Sequence, residues 1–105
     1  MEQNAIPMAN NERQIIIVDG DYQRITPNAL KLMIYMLKNP AEIYGSQQLR
    51  DGAGLPEKLQ LKRYFDELQE IGLLSCDQEW GEIHVSSLAK RVDNWGVPVF
   101  ERCKE

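Results

Sequence analysis

The stretch Leu61, Tyr64, Phe65, Leu68 and Ile71, closed by Gly72, constrains this chain more than any other feature. Apolar residues at i, i+3, i+4 and i+7 line one face of a helix, and a glycine just past the last of them supplies the left-handed residue that ends one. A proline at a helix start fits the first helical position, so Pro56 to Ile71 is read as one helix with a buried stripe and a polar back.

Two shorter signals precede it. Thr26-Pro27 pairs an N-cap hydroxyl with a proline at the first helical position. Leu30, Ile34 and Leu37 then recur at helical spacing until Asn39-Pro40, which predicts a helix over Thr26 to Lys38. Ser46 caps a short helix through Asp51, and Asp51-Gly52-Ala53-Gly54 is a turn. The expected core is Leu30, Ile34, Leu37, Leu49, Leu61, Phe65 and Leu68.

Strand signals flank the helices. Ile15 to Val18 is a β-branched run ended by Asp19-Gly20-Asp21, and a connector from there ends at Ile25. Leu73 to Cys76 and Ile83 to Ser86 border a polar bend near Gln78 to Gly81, which predicts a β-hairpin. Ser86 or Ser87 would cap a last helix, Leu88 to about Asn94, whose Leu88 and Val92 stand four apart. Residues 1–13 read as a flexible tail, and 14–105 as one domain with a C-terminal helical extension. The fold class expected is mostly α with a β-hairpin wing.

With 105 residues there is room for a single domain with its own core. No run nears the roughly 18 apolar residues of a membrane span, and the N-terminus lacks the pattern of a secretion signal, so a cytoplasmic protein is expected. Two cysteines without CxxC spacing and one histidine argue against a zinc site, and that compartment favours free thiols. Asp19-Gly20-Asp21 lacks the further oxygen ligands of a calcium loop. No phosphate-binding loop, nucleophile elbow or catalytic triad is present, so neither an enzyme nor a cofactor is expected.

Three pieces carry a resemblance: Ser46 to Arg50, the Gly54-Leu55 pair, and Tyr64 to Leu74 with its Leu68-x-x-x-Gly72-Leu73-Leu74 ending. Together, over residues 26–90, they resemble the winged helix-turn-helix transcriptional regulators. The resemblance implies sequence-specific binding of double-stranded DNA by a homodimer, with the third helix in the major groove. A small regulator of phage or mobile-element type fits the length. In that reading Gln47, Lys58, Gln60, Lys62 and Arg63 contact DNA, since Arg and Lys suit guanine or phosphate and Gln can pair with adenine. Equally, Lys62 and Arg63 can be spent on helical ion pairs with Asp66 and Glu67.

Two features pull the other way. The net charge is −4, although phosphate binding draws on Lys and Arg. The bend Asp77-Gln78-Glu79-Trp80-Gly81-Glu82 holds three carboxylates and no base. The alternative function is therefore a protein-interaction module, an adaptor or inhibitor docking on a nucleic-acid enzyme through Glu79, Trp80 and Glu82. Trp80 either folds back onto the hairpin or stands out as an anchor. His84 is expected on the surface of the hairpin.

Overall fold

The computed structural model describes residues 13–93 and 96–103. Strand β1 (Gln14–Val18) turns at Asp19-Gly20 into β2 (Asp21–Ile25), and α1 (Pro27–Lys38) follows. After β3 (Ile43–Gly45) come α2 (Ser46–Ala53) and α3 (Lys62–Ile71). The hairpin β4 (Leu74–Glu79) and β5 (Glu82–Leu88) leads to β6 (Lys90–Asp93) and β7 (Val99–Glu101). One sheet has the order β2-β1-β7-β6, with β1 and β7 parallel, and the other the order β3-β5-β4.

This is an α+β fold with two sheets, and it overturns the expectation of a mostly α fold whose β-structure is a single hairpin wing. The expected C-terminal helix fails with it. Residues 82–88 and 90–93 are strands, and Asn94 lies outside the described residues. Leu88 and Val92 carry helical spacing, but β6 pairs with β7, and β7 fills the second side of β1. Pairing partners far apart in sequence leave no local periodicity to read. The presumed connector 21–25 is likewise a strand, because Asp19-Gly20, at φ 49° and 87°, forms a two-residue turn that folds it back on β1.

The first helix begins as expected. Thr26 is its N-cap, and its Oγ1 accepts from the Ala29 N–H at 3.4 Å. Its inner face differs: Ala29, Leu32, Met33 and Met36 are fully buried, whereas Leu30, Ile34 and Leu37 are only partly so. The run is apolar nearly all round, so periodicity gives two candidate faces and the neighbouring elements choose between them. Tyr44 on β3 is buried beneath this helix and donates its hydroxyl to the Asn39 carbonyl at 2.6 Å.

The third helix starts later than expected. Residues 56–61 are irregular, with a turn in which the Leu59 N–H bonds to the Pro56 carbonyl. In a helix two successive steps rotate a side chain by about 200°, so Leu59 and Leu61 could not both face the core. Here both pack against it, and the Arg50 guanidinium holds the turn by donating to the Leu59 carbonyl at 2.7 Å. From Lys62 onward the stripe behaves as expected. Tyr64, Phe65 and Leu68 are buried, as are Leu49 and Leu61, and Gly72 ends the helix at φ 94°.

Glu67 ties α3 to the start of α1. Its carboxylate accepts from the Thr26 N–H at 2.8 Å and from the Thr26 hydroxyl at 2.7 Å. Arg102 joins the other end, donating to the Ile71 carbonyl and pairing with Asp19 at 3.1 Å. No helix among the described residues is long and apolar enough to cross a membrane.

A candidate interaction surface at the hairpin tip

The β4–β5 hairpin turns on two residues, Trp80 and Gly81, at φ 33° and 79°. Both central residues being left-handed is the geometry of a type I′ turn, which matches the twist of paired strands. Glycine takes that conformation freely. Tryptophan does not, because its Cβ crowds the following carbonyl, at a cost of about 1–2 kcal/mol for an ordinary L-residue. The indole recovers nothing by packing, since Trp80 is 102% exposed.

Its neighbours add a second unfavourable choice. Glu79 and Glu82 are direct cross-strand partners that close the turn, and like charges placed opposite each other destabilise a sheet. One of them has a local counterpart, for His84 Nε2 lies 3.2 Å from the Glu82 carboxylate. Half-exposed on β5, His84 stands on the hairpin surface as expected.

The tip is nonetheless held in place. The Gly81 carbonyl accepts from the Ser46 N–H at 2.8 Å and from the Ser46 hydroxyl at 3.0 Å, so the first residue of α2 braces the turn. Trp80 therefore projects from a fixed platform.

Beside the platform lies a cleft of about 200 Å³, lined by Arg50, Gln60, Lys62, Glu79, Trp80 and Glu82 among others. It brings Gln60 and Lys62, expected at DNA, together with all three residues expected at a protein partner. Lys62 is already engaged, its Nζ 2.7 Å from Asp66. Such an exposed pair contributes under about 1 kcal/mol, but it leaves the ammonium less free for a phosphate.

The other expected DNA contacts lie apart from this cleft. Gln47, exposed on α2, donates to Asp51 at 2.9 Å and accepts from Arg50 at 3.2 Å. Lys58 is exposed on the irregular turn and not on a helix. Arg63 stacks its guanidinium 5.1 Å from the centre of the Tyr64 ring and faces a separate groove with Thr26 and Glu67. Its expected partner Glu67 is occupied by Thr26, as described above.

Ser46 is the residue that sequence reasoning assigned only to a helix cap. No local signal could place it against Gly81, which is 35 residues away. Both cysteines are free thiols, and burial pushes the Cys76 thiol up to about 11, so it is a poor nucleophile. Among the described residues no group of three His, Cys, Asp or Glu side chains could hold a metal ion.

Compared with protein-family models, curated proteins and solved structures, the chain finds no match.

Proposed function

We propose that this chain is a protein-interaction module that docks through the tip of the β4–β5 hairpin. The observation that carries the reading is Trp80: a large apolar side chain held in a left-handed conformation, fully exposed and braced from behind. Locally unfavourable choices with no compensating contact concentrate at functional sites. Aromatic anchors filling a pocket on the partner supply most of the energy at many interfaces.

The chemistry of the surround sets the chemistry of the partner. Asp77, Glu79 and Glu82 are exposed around the indole, so the complementary surface is an apolar pocket rimmed by Lys and Arg. Nucleic-acid enzymes carry basic surfaces of this kind, and an acidic tip can occupy one as an adaptor or inhibitor. A cytoplasmic setting suits the free thiols.

The rival reading is a DNA-binding regulator. It has the succession of α2 and α3 and the exposed side chains of Lys58 and Arg63 in its favour. Carboxylates beside the start of α3 count against it, since phosphates repel them.

One experiment addresses both. The protein is immobilised, and a captured partner is identified, purified and titrated against the parent, Trp80→Ala and the double charge reversal Glu79→Lys/Glu82→Lys. In parallel the parent is offered random-sequence duplex DNA at about 50 mM salt, where even non-specific contacts are strong. A direct complex lost in both tip variants, with no duplex enriched, supports the proposal. Enriched duplexes whose binding needs Lys58 and Arg63 but not Trp80 would replace it with the DNA reading.

A further inference from the structure

The geometry points to a two-fold homodimer formed by pairing β2 with β2 of a second copy. The observations behind it are independent of the hairpin tip.

Strand β2 is an edge of the four-stranded sheet, paired among the described residues on one side only, with β1. That pairing runs without a break from Val18↔Asp21 to Gln14↔Ile25. The opposite edge, β6, has an irregular register between Arg91 and Asp93, the kind of interruption that blunts an edge against association. Nothing comparable protects β2 among the described residues.

The turn fixes which backbone groups are free. In a two-residue hairpin the closing pair, here Val18 and Asp21, exchanges its N–H and C=O groups, and such pairs alternate along the ladder. The groups of Asp21, Gln23 and Ile25 therefore point to β1. Those of Tyr22 and Arg24 point outward, and no hydrogen bond engages them among the described residues.

An antiparallel partner must use those outward groups, so few registers are open. Centring the two-fold axis on Gln23 sets Tyr22 opposite Arg24 of the second copy, and Arg24 opposite its Tyr22. Each such pair exchanges hydrogen bonds in both directions, and the full length of the strand is used. Tyr22 is 75% exposed, and its ring and the guanidinium lie on the same outer face, where a cation–π contact forms twice. Asp21 meets Ile25, so no like charges oppose each other. Moving the axis to Arg24 would set two guanidinium groups face to face, and moving it to Tyr22 would leave Arg24 opposite Gly20. On the same outer face Ile15, directly across from Arg24, is 43% exposed and extends the apolar surface beside the new pair. The strand is thus complementary to itself in one register.

The test is sedimentation equilibrium of the full chain from about 1 to about 300 µM, the range in which a small interface is populated. Tyr22→Lys places an ammonium opposite Arg24 and should weaken association at least about tenfold. Tyr22→Glu, opposite the same arginine, should keep it. Arg24→Pro removes an outward N–H without touching the pairing to β1, and should also abolish the dimer. Far-UV circular dichroism checks that each variant is folded, and Trp80→Ala should dimerise like the parent. In the parent, exchange of the Tyr22 and Arg24 amides should slow as concentration rises. A parent that stays monomeric throughout, or a dimer indifferent to both Tyr22→Lys and Arg24→Pro, overturns the inference.

Discussion

Trp80→Asn should make this protein more stable while removing the partner binding proposed for the hairpin tip, two effects of opposite sign from one substitution. Asparagine tolerates the left-handed region far better than tryptophan, and Asn-Gly is a favoured pair for a type I′ turn. Here the wild-type pair is Trp80-Gly81. An ordinary residue in that region carries about 1–2 kcal/mol of strain, of which asparagine relieves a large part. The indole is 102% exposed, so its removal forfeits almost no buried apolar area. The bonds from Ser46 end on the Gly81 carbonyl and are untouched. The expected gain is about 1 kcal/mol, which in a domain near this size raises Tm by about 4–8 °C. Urea unfolding followed by far-UV circular dichroism is the suitable assay, because the substitution removes one of the two tryptophans that fluorescence would follow. The slope of the transition should be unchanged, since the exposed surface differs little. A variant destabilised by more than about 1 kcal/mol would refute the reasoning, for it would mean that the indole packs on the hairpin in solution.

Phe65 is buried at the centre of the α3 face, and Phe65→Ala should cost about 3–5 kcal/mol in a denaturant titration, through lost transfer energy and the cavity left behind. Glu67→Ala removes the acceptor for both Thr26 groups and should cost about 1–3 kcal/mol by the same assay, with α1 and α3 the elements loosened. A Cβ at Gly52 would overlap the Tyr35 ring, so Gly52→Ala should lose about 1–3 kcal/mol despite alanine's better helix propensity, visible as a lower Tm. With its thiol raised to about 11, Cys76 keeps its proton above the pH at which an unfolded thiol loses one, so folding stability should fall as pH climbs from about 9 to about 11. Unfolding curves of the parent and of Cys76→Ala across that window check the sign, the variant losing less. At pH 8 only about one Cys76 in a thousand is thiolate, and its alkylation in the folded protein should be correspondingly slow.

What the sequence determined by itself is local. Thr26-Pro27 marks the start of α1, Gly72 the end of α3, and the polar bend near Gln78 to Gly81 the hairpin, because caps and turns depend on a few residues and their immediate hydrogen bonds, while the exact turn at Trp80-Gly81 came from the structure. The stripe of α3 was equally legible, since one apolar face there leaves a single way to bury it. The two residue sets of the candidate site were also readable as types, an acidic tip with an aromatic and a helix start with bases.

Tertiary structure decided the rest, for reasons no short window contains. Strand β7 lies parallel to β1, some 80 residues distant, and a three-residue strand carries no periodicity to announce that pairing. The inner face of α1 was chosen by its neighbours, because Leu30, Ile34 and Leu37 and the buried Ala29, Leu32, Met33 and Met36 are both plausible stripes. Residues 56–61 gave up helix so that Leu59 and Leu61 could both reach the core, which moved Lys58 off the helix it was expected to share with Lys62 and Arg63. That same rearrangement, together with the long-range brace from Ser46, set Gln60 and Lys62 beside the acidic tip. Which charges neighbour which is a matter of chain crossings, and only the folded chain fixes those.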